Sequence, residues 1–278
     1  MADRDYVLGT HDDEVARLGL QHRVWRATVL ECWQKAGITI GSRVLDVGAG
    51  PGYATFDLAE IVGPNGRVVA VERSTNFVNV IRDTCKARNI GNVTVAELDL
   101  MTDVIPGEPF DFVWCRWVAS FVSDPGILVR KIAGALRPGG RAIFHEYADY
   151  LSWRFSPRRP VLEKFAAAVM ASWRESGGEP DIALALPPLL AADGCRIILA
   201  TPRIFCAGPA EYAWNWSASF LKNGPARLLE LGRIDQKFAD EIRSEFAAAA
   251  ANPRSLVMTP LVLEIVAEKL GGQLIERD

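Results

Sequence analysis

The stretch that decides the fold is Val44-Leu45-Asp46-Val47-Gly48-Ala49-Gly50-Pro51-Gly52-Tyr53. A short apolar strand runs into glycines at three alternate positions, and an amphipathic segment follows at once. Glycines in such a turn let the backbone pass close to a ligand at a helix N-terminus, where free N–H groups receive anionic or polar atoms. A Cβ at Gly48, Gly50 or Gly52 is expected to intrude on the ligand's space. The nicotinamide-dinucleotide fingerprint G-x-G-x-x-G needs glycine where this chain has Tyr53, so the spacing D-x-G-x-G-x-G speaks against that cofactor.

Outward from this loop, short β-branched runs alternate with amphipathic segments, the pattern of β-α-β units and a parallel sheet. Strands are predicted at 43–47, 68–72, 93–97, 110–115 and 141–145, and helices at 53–62, 75–89 and 125–136. Gly63-Pro64, Gly91 and Pro138-Gly139-Gly140 punctuate them. Upstream, residues 11–36 read as a helix opened by Thr10 and Asp13 and closed by Gly37, with Trp25 and Trp33 on its core face. After Glu146 the rhythm breaks. A helix is predicted near 160–175, a helix–strand unit over 189–206 bent at Pro202, and more helix over 209–250. The apolar run 255–269, split by Pro260, reads equally as strand or helix.

Composition narrows the class. The 278 residues are 49% hydrophobic and 23% charged, too apolar for a disordered chain and too mixed for a membrane bundle. Thirty-one Lys plus Arg against 34 Asp plus Glu leave a net charge of −3 and no basic tail, which disfavours a nucleic-acid partner. Five scattered cysteines without a C-x-x-C pair and three histidines without ligand spacing argue against a disulfide framework or a metal site. The N-terminus lacks the apolar segment of a signal peptide and no stretch is long enough to span a bilayer, so a cytoplasmic protein is expected.

Two acids sharpen the ligand. Glu72 ends the strand after the glycine loop, where a carboxylate accepts hydrogen bonds from both ribose hydroxyls of an adenosine. Asp99 ends the third strand, in reach of an adenine amino group. With the loop, these acids and the segments Phe110-Asp111-Phe112-Val113 and Leu136-Arg137-Pro138-Gly139-Gly140, the chain from Gly41 to about Cys206 resembles the class I S-adenosylmethionine-dependent methyltransferases. Tyr6-Val7-Leu8-Gly9 with Glu14, Arg17-Leu18 and Gln21 looks like the leading segment of the bacterial small-molecule members.

The resemblance implies an α/β fold with a seven-stranded, mostly parallel, doubly wound sheet whose last strand, within 257–266, is antiparallel. It divides the chain into an N-terminal helical lid (1–40), a Rossmann-like cofactor core (41–147), a helical substrate cap (148–188 and 207–254) and remaining core elements (189–206 and 255–278). S-adenosylmethionine would lie over Gly48, Ala49, Gly50 and Gly52. Asp46 would hold the loop or the cofactor amino group, Glu72 with Arg73 the ribose end, Asp99 and Leu100 the adenine, and Arg116 the carboxylate. Tyr6 and Gln21 would close over the methionine end.

Ligands of open α/β sheets sit outside the carboxyl ends of strands, so Trp117, His145, Glu146 and Tyr147 are candidate acceptor contacts. Strand alternation puts His145 and Tyr147 on one face and Glu146 on the other. His145 is the preferred general base, with Glu146 the alternative; alignment alone is the competing account of the rate. Trp153, Trp173, Trp214 and Trp216 fall in the irregular helical segments, where they can line a pocket for an aromatic, terpenoid or quinone-like acceptor, stack on a cation, or pack the cap. The expected function is O-, N- or C-methylation of a small, aromatic or otherwise apolar metabolite, with no nucleic acid or membrane partner and with a homodimer as one possible assembly. The alternatives are a protein or nucleic-acid methyltransferase, or a regulatory module that binds the cofactor without turnover.

Overall fold

The computed structural model describes residues 12–107 and 109–271. The core alternates as expected: β1 (Arg43–Val47), α2 (Tyr53–Val62), β2 (Arg67–Glu72), α3 (Thr75–Ala87), β3 (Val93–Glu97), β4 (Phe110–Arg116) and α4 (Pro125–Ala135), preceded by α1 (Asp12–Ala36). Side-chain caps set two helix starts: Ser74 Oγ accepts from Phe77 N, and Asp124 Oδ1 accepts from Ile127 N ahead of Pro125 in the first turn. β5 (Leu136–Asp149) is longer than the five residues expected, because an antiparallel neighbour pairs with it from Arg141 to Asp149.

That neighbour is β10 (Leu261–Lys269), which pairs antiparallel with β5 on one side and with β7 (Cys195–Arg203) on the other. The seven-stranded sheet runs β3-β2-β1-β4-β5-β10-β7, with every other neighbouring pair parallel. The run 255–269 therefore forms two strands and no helix. It is cut in two because Pro260 has no N–H to give the ladder. The first piece, β9 (Leu256–Met258), leaves for a separate three-stranded sheet with β6 (Arg154–Ser156) and β8 (Cys206–Ala207).

Two expected boundaries move. The strand predicted to continue to 206 stops at Arg203. Thr259 then ties the chain down: its N–H donates to Phe205 O at 2.9 Å and its Oγ1 accepts from Phe205 N at 2.9 Å. Residues 182–188, expected in the cap, instead lead into α6 (Leu186–Ala192). Leu186 and Leu190 of α6 are fully buried in one cluster with Leu128 and Ile132 of α4. The rest of the segments expected as cap hold α5 (Pro160–Glu175), α7 (Trp214–Glu230) and α8 (Gln236–Ala251), which pack with the small sheet into the same cluster as α1. None of the helices among the described residues is long and apolar enough to cross a membrane.

Strand alternation sorts the two faces. In β1, Val44 joins the cluster under α1 and α2, while Leu45 and Val47 join the cluster under α4 and α6. Trp25 is the rivet of the α1 face. It is fully buried, with its ring 5.0 Å from Trp216 of α7, 5.7 Å from Trp117 and 4.5 Å from Phe205. Trp25→Ala should cost about 3–5 kcal/mol of unfolding free energy, read from urea denaturation followed by far-UV circular dichroism.

Candidate functional site

The chain leaves β1 at Val47 and hangs on β2 immediately: Gly48 N and Ala49 N both donate to Val71 O, at 2.9 and 3.1 Å. Gly48, Gly50 and Gly52 all have left-handed backbones, with φ of +64°, +56° and +87°. The three are needed for different reasons. A Cβ on Gly48 would meet Val118 at 2.4 Å, and one on Gly52 would meet Ile81 at 2.7 Å and Phe56 at 3.0 Å. Only at Gly50 would it enter open space. The expectation that all three make room for a ligand is corrected: Gly48 and Gly52 make room for packing, and Gly52 does not reach the cavity wall.

Over this loop lies a cavity of about 950 Å³. Its walls bring together Gln21, Asp46, Gly48, Ala49, Gly50, Glu72, Arg73, Asp99, Leu100 and Arg116, drawn from α1 and the carboxyl ends of β1 to β4. Tyr6 lies outside the described residues. Glu72 accepts from Gly50 N at 2.9 Å through one carboxylate oxygen and from Arg73 N and Ser74 N through the other. Asp99 Oδ1 accepts from Met101 N at 2.8 Å. Asp46 is buried, accepts from Thr55 Oγ1 at 2.6 Å, and is pushed up to about 6 by burial against that bond.

Arg116, the last residue of β4, lines the cavity with Arg73 and Arg227 and is the cation set at the end of the central strands. Burial lowers it to about 10, opposed by Asp46 and Asp57. Trp114 and Trp117 present ring faces to it, with Cζ 5.9 and 5.2 Å from their centroids. Its Nη2 bonds His22 Nδ1 at 3.1 Å, while its buried Nη1 has no hydrogen-bond partner.

A second, smaller cavity of about 90 Å³ adjoins the first; Gln21, Trp117, Phe121, Arg227 and Leu231 line both. Trp117, Tyr147, Tyr150, Trp153, Trp173 and Trp216 supply its aromatic walls. Trp117 and Trp216 stack at 5.8 Å and 22°, and Trp117 and Tyr147 at 5.5 Å and 22°. Trp214, expected at the acceptor, lines neither cavity: it is buried in the cap, stacked on Phe246 at 5.9 Å and edge-on to Phe155.

His145 and Glu146 line neither cavity, which corrects their expected part in proton transfer. The His145 ring is fully buried among Trp25, Trp114 and Trp117, and neither nitrogen has a hydrogen-bond partner. Burial, with Arg116 and Arg203 nearby, holds it neutral far below the usual imidazole range. Glu146 points to the opposite face and accepts from Val118 N at 2.8 Å, Ala119 N at 2.9 Å and Ser120 Oγ at 2.9 Å. Those bonds fix the loop after β4 just where Trp117 turns left-handed at φ +50°, an uncommon backbone for an aromatic residue. Glu146 therefore aims Trp117 into both cavities rather than touching a ligand.

Sequence reading missed Phe121, Tyr150 and the His22–Asp57 pair. Tyr150 is hidden because β5 runs four residues past its predicted end, to Asp149. Asp57, on α2, meets His22 only through the docking of α1, which no local pattern encodes.

Residues 44–140 match a family described as "Methyltransferase domain". The match falls within the seven-stranded sheet and its glycine loop, and that sheet, with its antiparallel β10, has the class I methyltransferase fold. A ubiquinone/menaquinone biosynthesis C-methyltransferase of Saccharophagus degradans (strain 2-40) is 28% identical over 144 residues, 51% of this chain and 54% of that protein. The chain thus spans about half the length of the curated relatives it matches. Among solved structures, a putative methyltransferase from Bacillus halodurans superposes with a TM-score of 0.59 at 15% identity, over 88% of this chain and all of that one. Coclaurine N-methyltransferase bound to N-methylheliamine and S-adenosylhomocysteine superposes with a TM-score of 0.56 at 19% identity, over 87% of this chain and 72% of that one. At these identities the two superpositions establish a shared fold.

Glu146 offers a direct check of its anchoring role. Burial raises it to about 7 although its three donors favour the charged form. Because the folded state then holds the proton more tightly than the unfolded chain, this group's contribution to stability falls as pH rises from about 4.5 to about 7. Glu146→Gln, whose carbonyl can still accept from both backbone N–H groups, should flatten that part of the pH–stability curve and stay folded. Glu146→Ala strands buried donors and should lose about 2–4 kcal/mol at pH 7, both read by urea denaturation.

Proposed function

We propose that the chain transfers a methyl group from S-adenosylmethionine to a small, aromatic or otherwise apolar acceptor. The observation that carries this reading is the junction of the two cavities: a large polar chamber at the ends of β1 to β4 opens past Gln21 and Trp117 toward a compact aromatic pocket.

The polar chamber has the chemistry for the cofactor. Glu72 and Asp99 are hydrogen-bond acceptors suited to ribose hydroxyls and an adenine amino group. Asp46 offers a carboxylate to an ammonium, and the unpaired Nη1 of Arg116 offers a donor to a carboxylate. The open space beside Gly50 admits the chain that links them. Bound there, S-adenosylmethionine supplies an electrophilic methyl group on a sulfonium.

In the aromatic pocket the stacked faces of Trp117, Tyr147 and Trp216 fit a planar acceptor. Among the described residues lining it there is no Asp, Glu or His. The chain's own contribution is therefore to align the acceptor, exclude water and hold the left-handed Trp117 between the two ligands. The similarity to ubiquinone/menaquinone biosynthesis C-methyltransferases supports a ring-bearing acceptor. The net charge of −3 supports a small molecule over nucleic acid.

Calorimetry and mass spectrometry test this reading. The protein should bind S-adenosylhomocysteine, and Glu72→Ala should weaken that binding by about tenfold or more. In a screen of quinols, phenols, indoles and amines, S-adenosylhomocysteine should form together with a product heavier by one methylene. Trp153→Ala should raise KM for that acceptor and leave nucleoside affinity alone. Binding of NAD with none of S-adenosylmethionine would overturn the reading, and nucleoside binding without turnover on any acceptor would reduce it to a binding module.

A further inference from the structure

Arg116 is the cation of the polar chamber at the end of β4, and a guanidinium has five donors in one plane that must be held in place to present any one of them. One anchor is His22: Arg116 Nη2 lies 3.1 Å from its Nδ1. The other ring nitrogen, Nε2, lies 3.0 Å from Asp57 Oδ2, and the His22 side chain is only 5% exposed. Arg26 closes the series with Nε 2.8 Å from Asp57 Oδ2 and Nη2 3.1 Å from Asp57 Oδ1.

These partners determine the proton positions on His22. A guanidinium only donates, so Nδ1 must carry a lone pair. The Asp57 carboxylate, held ionised by bonds from His22 and Arg26 that outweigh its burial, only accepts, so Nε2 must carry the hydrogen. The ring is neutral and of one tautomer. Burial, the Arg116 charge and the Arg26 charge favour that neutral form against the pull of Asp57, and His22 lies below its ordinary value. Tyr53 stacks on the ring at 5.9 Å and 21°, removing its rotational freedom.

We infer that His22, oriented by Asp57, is a positioning residue that holds Arg116 for the carboxylate of the cofactor's amino-acid end, making α1 part of the cofactor site. This rests on the S-adenosylmethionine reading above. Protonation of His22 would place an Nδ1–H against the Arg116 guanidinium, so the bond survives only while the ring is neutral. Lowering the pH through the His22 titration should therefore release Arg116. The groups facing His22 are Asp57 and Tyr53 from α2, Arg116 from β4 and Arg26 from its own helix. Asp46 titrates nearby, raised to about 6, and remains unchanged in any His22 variant.

Titration calorimetry of the full chain, comparing S-adenosylhomocysteine with 5′-methylthioadenosine, tests this. The second nucleoside keeps the adenosine and thioether and lacks the carboxylate and ammonium. At pH 7.5, His22→Ala should weaken S-adenosylhomocysteine about tenfold to hundredfold and shift methylthioadenosine by less than about twofold. His22→Asn, which keeps an acceptor near the Nδ1 position but cannot gain a proton, should recover most of the affinity. From pH 7.5 to pH 5, wild-type affinity for S-adenosylhomocysteine should fall more steeply than that of His22→Asn, the Asp46 contribution being common to both. Equal losses for both nucleosides in His22→Ala, or identical pH profiles for wild type and His22→Asn, would overturn the inference. If His22→Ala does not fold, the pH comparison still decides. Wild-type protein that binds neither nucleoside would instead overturn the cofactor reading itself.

Discussion

In the order β3-β2-β1-β4-β5, the chain leaves β1 toward β2 on one side and comes back to β4 on the other. The crossover connections diverge at that point, so the carboxyl ends of β1 and β4 are left uncovered and a crevice forms between them. Everything chemical in this protein is placed by that divergence. The glycine loop follows β1, Glu72 ends β2, Arg116 ends β4, and the cavity of about 950 Å³ lies over all of them.

What keeps the crevice shaped is a set of buried polar groups that do not themselves touch it. Glu146 satisfies two backbone donors and a hydroxyl after β4, and so holds Trp117 in its left-handed turn. A buried carboxylate is costly unless its oxygens are used, and each oxygen of Glu146 is used. His145 lies across the sheet on the opposite face, wrapped in tryptophans, and behaves as a neutral core ring. Adjacent strand residues thus serve two different packing layers.

Helix α1 joins the two chambers. Its Trp25 packs against Trp117 and Trp216, its Gln21 Oε1 accepts from Trp216 Nε1 at 3.0 Å, and its His22 reaches Arg116. The helix is therefore both a wall of the aromatic pocket and an element of the polar chamber.

By itself, the sequence determined the alternating strand–helix order, the loop 48–52, the acid that ends β2 and the one just past β3. These follow from local rules: hydrophobic period, glycine at left-handed turns and polar residues at strand ends. It also singled out Arg116 and Trp117, because position just past a strand is a local property. The tertiary structure alone decided which side chains at the ends of β4 and β5 face the chambers. It turned His145 and Glu146 inward, sent Trp214 into the cap, split 255–269 between two sheets, and paired His22 with Asp57 and Arg116. Each of these depends on partners distant in the chain, on the docking of α1 and on the antiparallel insertion of β10. Side-chain direction at the end of a strand is set by the neighbour it must pack against or bond, and no local period carries that information.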